Sequence, residues 1–163
     1  NELMVRQYRQ SRDRDLMLIL DLWVPRRPTG ADYERSELAV SLAATICIEH
    51  MRESRDSKLH VITAGRELGI WNGETAATFR DSLLDTFALV EAGPEPPIDR
   101  ALDQAAVGRA PGTAVILISS RPQGEAGAAL QRSIDERRAG EALGDIRVIA
   151  SDADELASFF EIA

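Results

Sequence analysis

Asp15-Leu-Met-Leu-Ile-Leu-Asp21 is the stretch on which the fold turns: five apolar residues in succession, closed at each end by an acid. The run is too short for a helix and shows no alternation, which predicts a strand buried on both faces, as in the middle of a parallel sheet. Two further segments have the same character. They are Ala114-Val-Ile-Leu-Ile118, behind the turn signal Pro111-Gly112-Thr113, and Ile146-Arg-Val-Ile-Ala150, behind Gly144-Asp145. Leu59-His-Val-Ile-Thr63 runs to Ala64-Gly65, and Glu67-Leu-Gly-Ile-Trp71 follows at once and stops at Asn72-Gly73. That pair reads as a strand with a short hairpin partner, joined by a tight turn.

Helical patterns alternate with these strands. Asp32 to Glu53 sets Leu38, Leu42, Ala43, Ile46 and Met51 on overlapping faces, and its middle is apolar nearly all round, so this helix is expected to be buried on more than one side. Thr75 to Val90 is amphipathic through Phe79, Leu83, Leu84, Phe87 and Val90, and Gly93-Pro94 closes it. Ile98 to Val107, Gly124 to Arg138 and Asp154 to Phe160 complete the helices, with Gly124 and Gly127 weakening the second of these near its start. Alternation of this kind predicts an α/β fold: a doubly wound, mainly parallel sheet with helices on both faces and one short antiparallel edge strand. The whole chain, residues 1–163, reads as a single domain, with residues 1–14 a basic lead-in segment or edge strand.

Composition bounds the function. The chain has 163 residues, 44% of them hydrophobic, with 27 acidic against 19 basic side chains and a net charge of −8. A core of this size buries roughly 70% of the unfolded surface without a disulfide framework or structural metal. Cys47 is the only cysteine, which excludes intrachain disulfides, paired-cysteine zinc sites and redox dithiols, and suits a reducing compartment, the cytoplasm. Flanked by Ile46 and Ile48, it reads as a small core residue. The longest nearly unbroken apolar run, Leu38 to Ile48, is far short of the roughly 20 residues that span a bilayer. An acidic body repels phosphate backbones, which argues against nucleic acid as a partner.

In doubly wound sheets ligands sit beyond the carboxyl ends of the strands, which directs attention to the loops after Leu20, Thr63 and Ile118. The first holds Asp21-Leu-Trp-Val-Pro-Arg-Arg-Pro28, where an acid could bind a cation or orient a hydroxyl and Trp23 could cap the sheet or offer a flat contact surface. The last holds Ser119-Ser-Arg-Pro-Gln-Gly-Glu-Ala-Gly127, small residues and a helix start of the kind that can hold an anion. Neither the dinucleotide fingerprint nor the P-loop occurs. The two histidines, His50 on the long helix and His60 within a strand, are not placed by sequence for a nucleophile-and-base arrangement. Asp13/Asp15 and Asp152/Asp154 read as capping or solvated carboxylates rather than acid/base pairs.

The opening Asn1-Glu-Leu-Met-Val-Arg-Gln-Tyr-Arg9, then Arg12-Asp-Arg-Asp15 and the buried run to Asp21, resembles the latter half of proteins of the domain-of-unknown-function family 58, in which G-x-L-x-V-R-x-[FY] leads into an apolar strand ending in Asp. The similarity continues through Glu37-Leu-Ala-Val-Ser-Leu-Ala-Ala44, Val61-Ile-Thr63 and Ser82-Leu-Leu-Asp-Thr-Phe-Ala88. It implies a von Willebrand factor A-like fold, whose metal site uses D-x-S-x-S after the first strand, a threonine from a later loop and an aspartate after the fourth strand. A hard divalent cation needs about six oxygen ligands, and that pattern supplies them while leaving a position for an acidic partner group. Here Asp21 matches, but Trp23 and Pro25 stand at the serine positions, Pro94-Glu-Pro-Pro-Ile-Asp99 has no threonine, and Ser119-Ser120 stands where the later aspartate belongs.

The expectation is therefore a non-catalytic, cofactor-free protein-interaction module in which the adhesion-type metal site is degenerate and holds no metal. Its expected docking residues are Asp21, Trp23, Arg26, Arg27, Ser119, Ser120 and Arg121. The resemblance implies a MoxR-type AAA+ ATPase as the protein partner, and membrane attachment only through regions absent from this chain, which would then be the soluble C-terminal part of a longer protein. The alternatives are a magnesium-dependent von Willebrand A-type binding domain and a small-molecule enzyme using the 119–127 loop.

Overall fold

The computed structural model describes residues 14–54, 56–74, 78–140 and 143–151. In chain order its elements are β1 (Leu16–Asp21), α1 (Gly30–Glu53), β2 (Lys58–Ala64), β3 (Leu68–Glu74), α2 (Thr78–Leu89), α3 (Ile98–Gly108), β4 (Ala114–Ser119), α4 (Glu125–Ala139) and β5 (Ile146–Ala150). The expected helix at Asp154–Phe160 and all but the last residue of the lead-in segment lie outside the described residues.

The sheet has five strands in the order β3-β2-β1-β4-β5, parallel throughout except for the antiparallel β2–β3 pair. β1 is its centre, and every one of its residues is buried. Alternate side chains serve opposite faces. Leu16, Leu18 and Leu20 join a core built with Ala39, Leu42 and Ile46 of α1 and Leu83 and Phe87 of α2. Met17 and Ile19 join a second core with Ala101, Leu102 and Ala105 of α3 and Leu130 and Ile134 of α4. An apolar run without alternation thus has a physical cause: helices cover both sides of it.

α1 begins where Thr29 caps it. The Thr29 hydroxyl takes the Asp32 amide and the Asp32 carboxylate takes the Thr29 amide, a reciprocal capping box of the kind worth about 1 kcal/mol. Its middle is wrapped by the core as expected, apart from a solvent strip at Ser41 and Thr45, and Cys47 is fully buried there. Burial pushes the Cys47 thiol far above its ordinary range, which leaves it unreactive.

The hairpin differs from the sequence expectation at one end. Asn72-Gly73 does not terminate the second strand; β3 runs to Glu74 and pairs with β2 along its whole length, with His60 opposite Asn72 and Leu59 opposite Gly73. The glycine serves close packing: a Cβ there would fall 2.4 Å from the Trp71 indole. That indole is buried, donates to Ser82 Oγ at 3.0 Å and meets Phe79 edge-on, with ring centroids 6.4 Å apart, so it ties β3 to α2.

His50, near the end of α1, lies 3.0 Å from Ser57 Oγ through Nε2, and both residues are buried. Burial holds the imidazole below its ordinary pKa, against opposing pulls from Asp15 and from the Lys58 backbone. A histidine that binds its proton less readily folded than unfolded contributes stability that is complete above about pH 6.5 and declines as pH falls below it. Urea midpoints measured between pH 8 and pH 5 are expected to fall toward the acid end, and His50→Gln is expected to flatten that decline.

Candidate functional site

β1 sends its chain to β2 on one side, while β4 lies on its other side, so the strand order reverses between β1 and β4. The carboxyl ends of these two strands therefore form the switch-point crevice of a doubly wound sheet. Register places Asp21 opposite Ser119 across that crevice.

What fills it is an ion pair. Asp21 is fully buried, and Arg121, from the loop after β4, lies against it with only 9% of its surface exposed. Arg121 Nε donates to Asp21 Oδ2 at 2.7 Å and Nη2 donates to Oδ1 at 3.3 Å. Ser119 Oγ donates to the same Oδ2 at 2.7 Å and accepts the Arg121 amide at 3.1 Å. A third guanidinium nitrogen, Nη1, donates to the Ala126 carbonyl in the first turn of α4. Burial pushes the Asp21 carboxyl above its ordinary pKa, while the Arg121 charge and the hydrogen bonds from Arg121 and Ser119 pull it back toward the ionised form.

Ser120 completes the link to the rim. Its amide donates to the Asp21 carbonyl at 3.0 Å, its hydroxyl accepts the Trp23 amide at 2.7 Å, and the hydroxyl lies 2.8 Å from the Trp23 carbonyl. Trp23 also bridges to Gly93, where Val24 donates to the Gly93 carbonyl and Gly93 donates to the Leu22 carbonyl. The loop after β1 is thereby stitched to the 93–97 loop on one side and to Ser120 on the other.

The seven residues singled out from sequence thus fall into two layers. Asp21, Ser119, Ser120 and Arg121 are buried and bonded to one another or to Trp23. Trp23 is half-buried above them, and Arg26 and Arg27 are exposed, with Arg26 paired to the exposed Glu95 at 2.8 Å. Sequence reasoning placed Arg121 among docking residues and did not foresee its bond to Asp21. It also passed over Ser151, wholly buried at the end of β5, whose amide donates to the Ser119 carbonyl and whose hydroxyl finds no partner among the described residues. Among the described residues no group of three or more His, Cys, Asp or Glu side chains converges.

This architecture, with its crevice at the end of the central strand, is that of a von Willebrand factor A-type α/β fold. A solved von Willebrand factor type A structure from Catenulispora acidiphila superposes with a TM-score of 0.53 at 14% identity, over 85% of this chain and 32% of that one. An aerotolerance-related membrane protein from Bacteroides fragilis matches with a TM-score of 0.44 at 17% identity, over 85% of this chain and 66% of its own. The chain spans about a third of the length of the first and 66% of the second. No family model and no curated protein matches the chain, so the resemblance to family 58 rests on the residues quoted for it.

Removing one member of a buried pair leaves the other charge uncompensated, a loss of about 3–5 kcal/mol. Arg121→Ala is expected to lower unfolding free energy by that amount in urea titrations. Arg26→Ala, which breaks only an exposed pair, is expected to change it by no more than about 0.5 kcal/mol. Asp21→Asn combined with Arg121→Gln is expected to cost less than the two single changes added together.

Proposed function

We propose that this chain is a non-catalytic protein-interaction module whose adhesion-type site works without a metal. The observation that carries the reading is the Arg121 guanidinium on the Asp21 carboxylate. A hard divalent cation needs about six oxygen donors. Here both Asp21 oxygens already accept hydrogen bonds from cationic or hydroxyl donors, and Trp23 and Pro25 offer no side-chain oxygen where the family pattern has serines. The donor set does not fit a cation, and a fixed positive charge stands in the crevice instead.

What remains for a partner is the rim above the pair. Trp23 supplies a half-buried aromatic surface and Arg26 and Arg27 supply exposed guanidinia, a combination enriched where proteins dock. Beneath it the Ser120 hydroxyl holds the Trp23 backbone, and the Ser120 amide is tied to the Asp21 carbonyl. The partner implied by the family resemblance is a MoxR-type AAA+ ATPase, met through shape and charge. An enzyme built on the 119–127 loop is disfavoured because the loop's only cation, Arg121, is turned inward onto Asp21 and Ala126. Among the described residues no helix is long and apolar enough to cross a membrane.

The test is pull-down with the full-length protein in buffer containing either magnesium or EDTA. Partner capture, including that of the ATPase, is expected to be the same in both, and to be lost in Trp23→Ala and in the double variant Arg26→Ala/Arg27→Ala. Magnesium is also expected to leave the melting temperature unmoved, whereas a site filled at 100 times its dissociation constant would add about 2.7 kcal/mol. Capture that disappears with EDTA, or that survives both sets of rim substitutions, would overturn the reading.

A further inference from the structure

At the amino ends of β1, β4 and β5, about 17 Å along the sheet from Asp21, the structure holds a cavity of about 410 Å³. Its size lies within the range of small-molecule sites, roughly 300–1,000 Å³. Leu16, Val115, Ile116 and Ile146 give it apolar walls, and Arg14, Arg109 and Arg147 line it from three different parts of the chain. Asp145 is the one acid among its lining residues. In a protein of net charge −8 this is a local reversal of sign.

None of the three arginines takes part in an ion pair with a described residue, although six other arginines do. Arg109 is the most informative. Its Nε is buried and has no hydrogen-bond partner among the described residues, a situation that costs about 1–3 kcal/mol when nothing compensates it. Packing, rather than an acid, holds its head in place: a Cβ on Gly144 would fall 2.4 Å from Arg109 Nη1, so the glycine, at φ +60°, makes the room in which the guanidinium sits. Arg147 is half-buried on β5 in register with Ile116, and Arg14 is exposed. His50, Gly112 and Thr113 also line it; Gly112 takes φ +84° and the Thr113 amide donates to the Ala110 carbonyl.

We propose that this cavity binds a small molecule carrying a phosphate group. Guanidinium forks match the geometry of phosphate oxygens, and several arginines lining one cavity suit an anion of more than one charge. The apolar walls and the volume leave room for an organic body behind the phosphate. The site lies at the opposite end of the sheet from the Trp23 rim, so it does not depend on the proposed docking function.

Pyrophosphate and inorganic phosphate are the probes, titrated calorimetrically into the full chain at low ionic strength, with succinate for comparison and amide shifts followed by NMR. Saturable one-to-one binding of pyrophosphate, tighter than that of succinate, is expected, with shifts centred on residues 109–116 and 144–147. Arg109→Ala and Arg147→Ala, each checked for native circular dichroism, are expected to weaken it by about ten- to hundredfold. Arg26→Ala is expected to leave it unchanged. No saturable binding, binding that survives both cavity substitutions in folded protein, shifts centred elsewhere, or a preference for succinate would each overturn the assignment.

Discussion

The Asp21 carboxylate lies fully buried at the end of the central strand, and the way its charge is met constrains everything around it. Taking a carboxylate and a guanidinium out of water costs several kcal/mol per ion, repaid only when geometry is good and the remaining donors and acceptors are satisfied. Here they are: two guanidinium nitrogens and a serine hydroxyl reach the carboxylate, and the third guanidinium nitrogen reaches a helix carbonyl. A pair of this kind is a poor source of net stability but a strict fastener. It joins β1, the loop after β4 and the start of α4 at a single point, and Ser120 extends the same fastening to Trp23.

Much of the architecture was legible in the sequence because it follows from local pattern. Unbroken apolar runs at 16–20 and 114–118 became the two central parallel strands, and the long apolar pattern from Asp32 became the helix that covers one face. Asp21 stood out as a candidate because an acid closing a buried strand is conspicuous. Its partner was not. Arg121 is separated from Asp21 by 100 positions, and their meeting depends on the β1–β4 register, which no local pattern reveals. Ser119-Ser120 was read as the place of a missing ligand; in three dimensions both serines are donors or acceptors that support the arginine and the tryptophan loop. The Asn72-Gly73 signal misled at short range because the glycine there accommodates an indole instead of making a turn. The cavity at the other end was invisible for the same reason as the ion pair, since Arg14, Arg109 and Arg147 come together only through strand order.

The two ends of the sheet thus differ in chemical character. At the carboxyl end a positive charge is enclosed and neutralised, and in the proposed function recognition falls to the rim above it. At the amino end positive charge is gathered and left without an acid partner among the described residues. A cation-bridging domain would need the first end open and rich in oxygen donors; here the Arg121 guanidinium sits on the Asp21 carboxylate.

The most direct measurement is a crystal structure grown in excess manganese with anomalous data collected. The expected result is Arg121 seated on Asp21 and no anomalous peak within coordination distance of that carboxylate. A manganese ion bound to Asp21 with Arg121 displaced would contradict the claim that a guanidinium has taken the place of the metal.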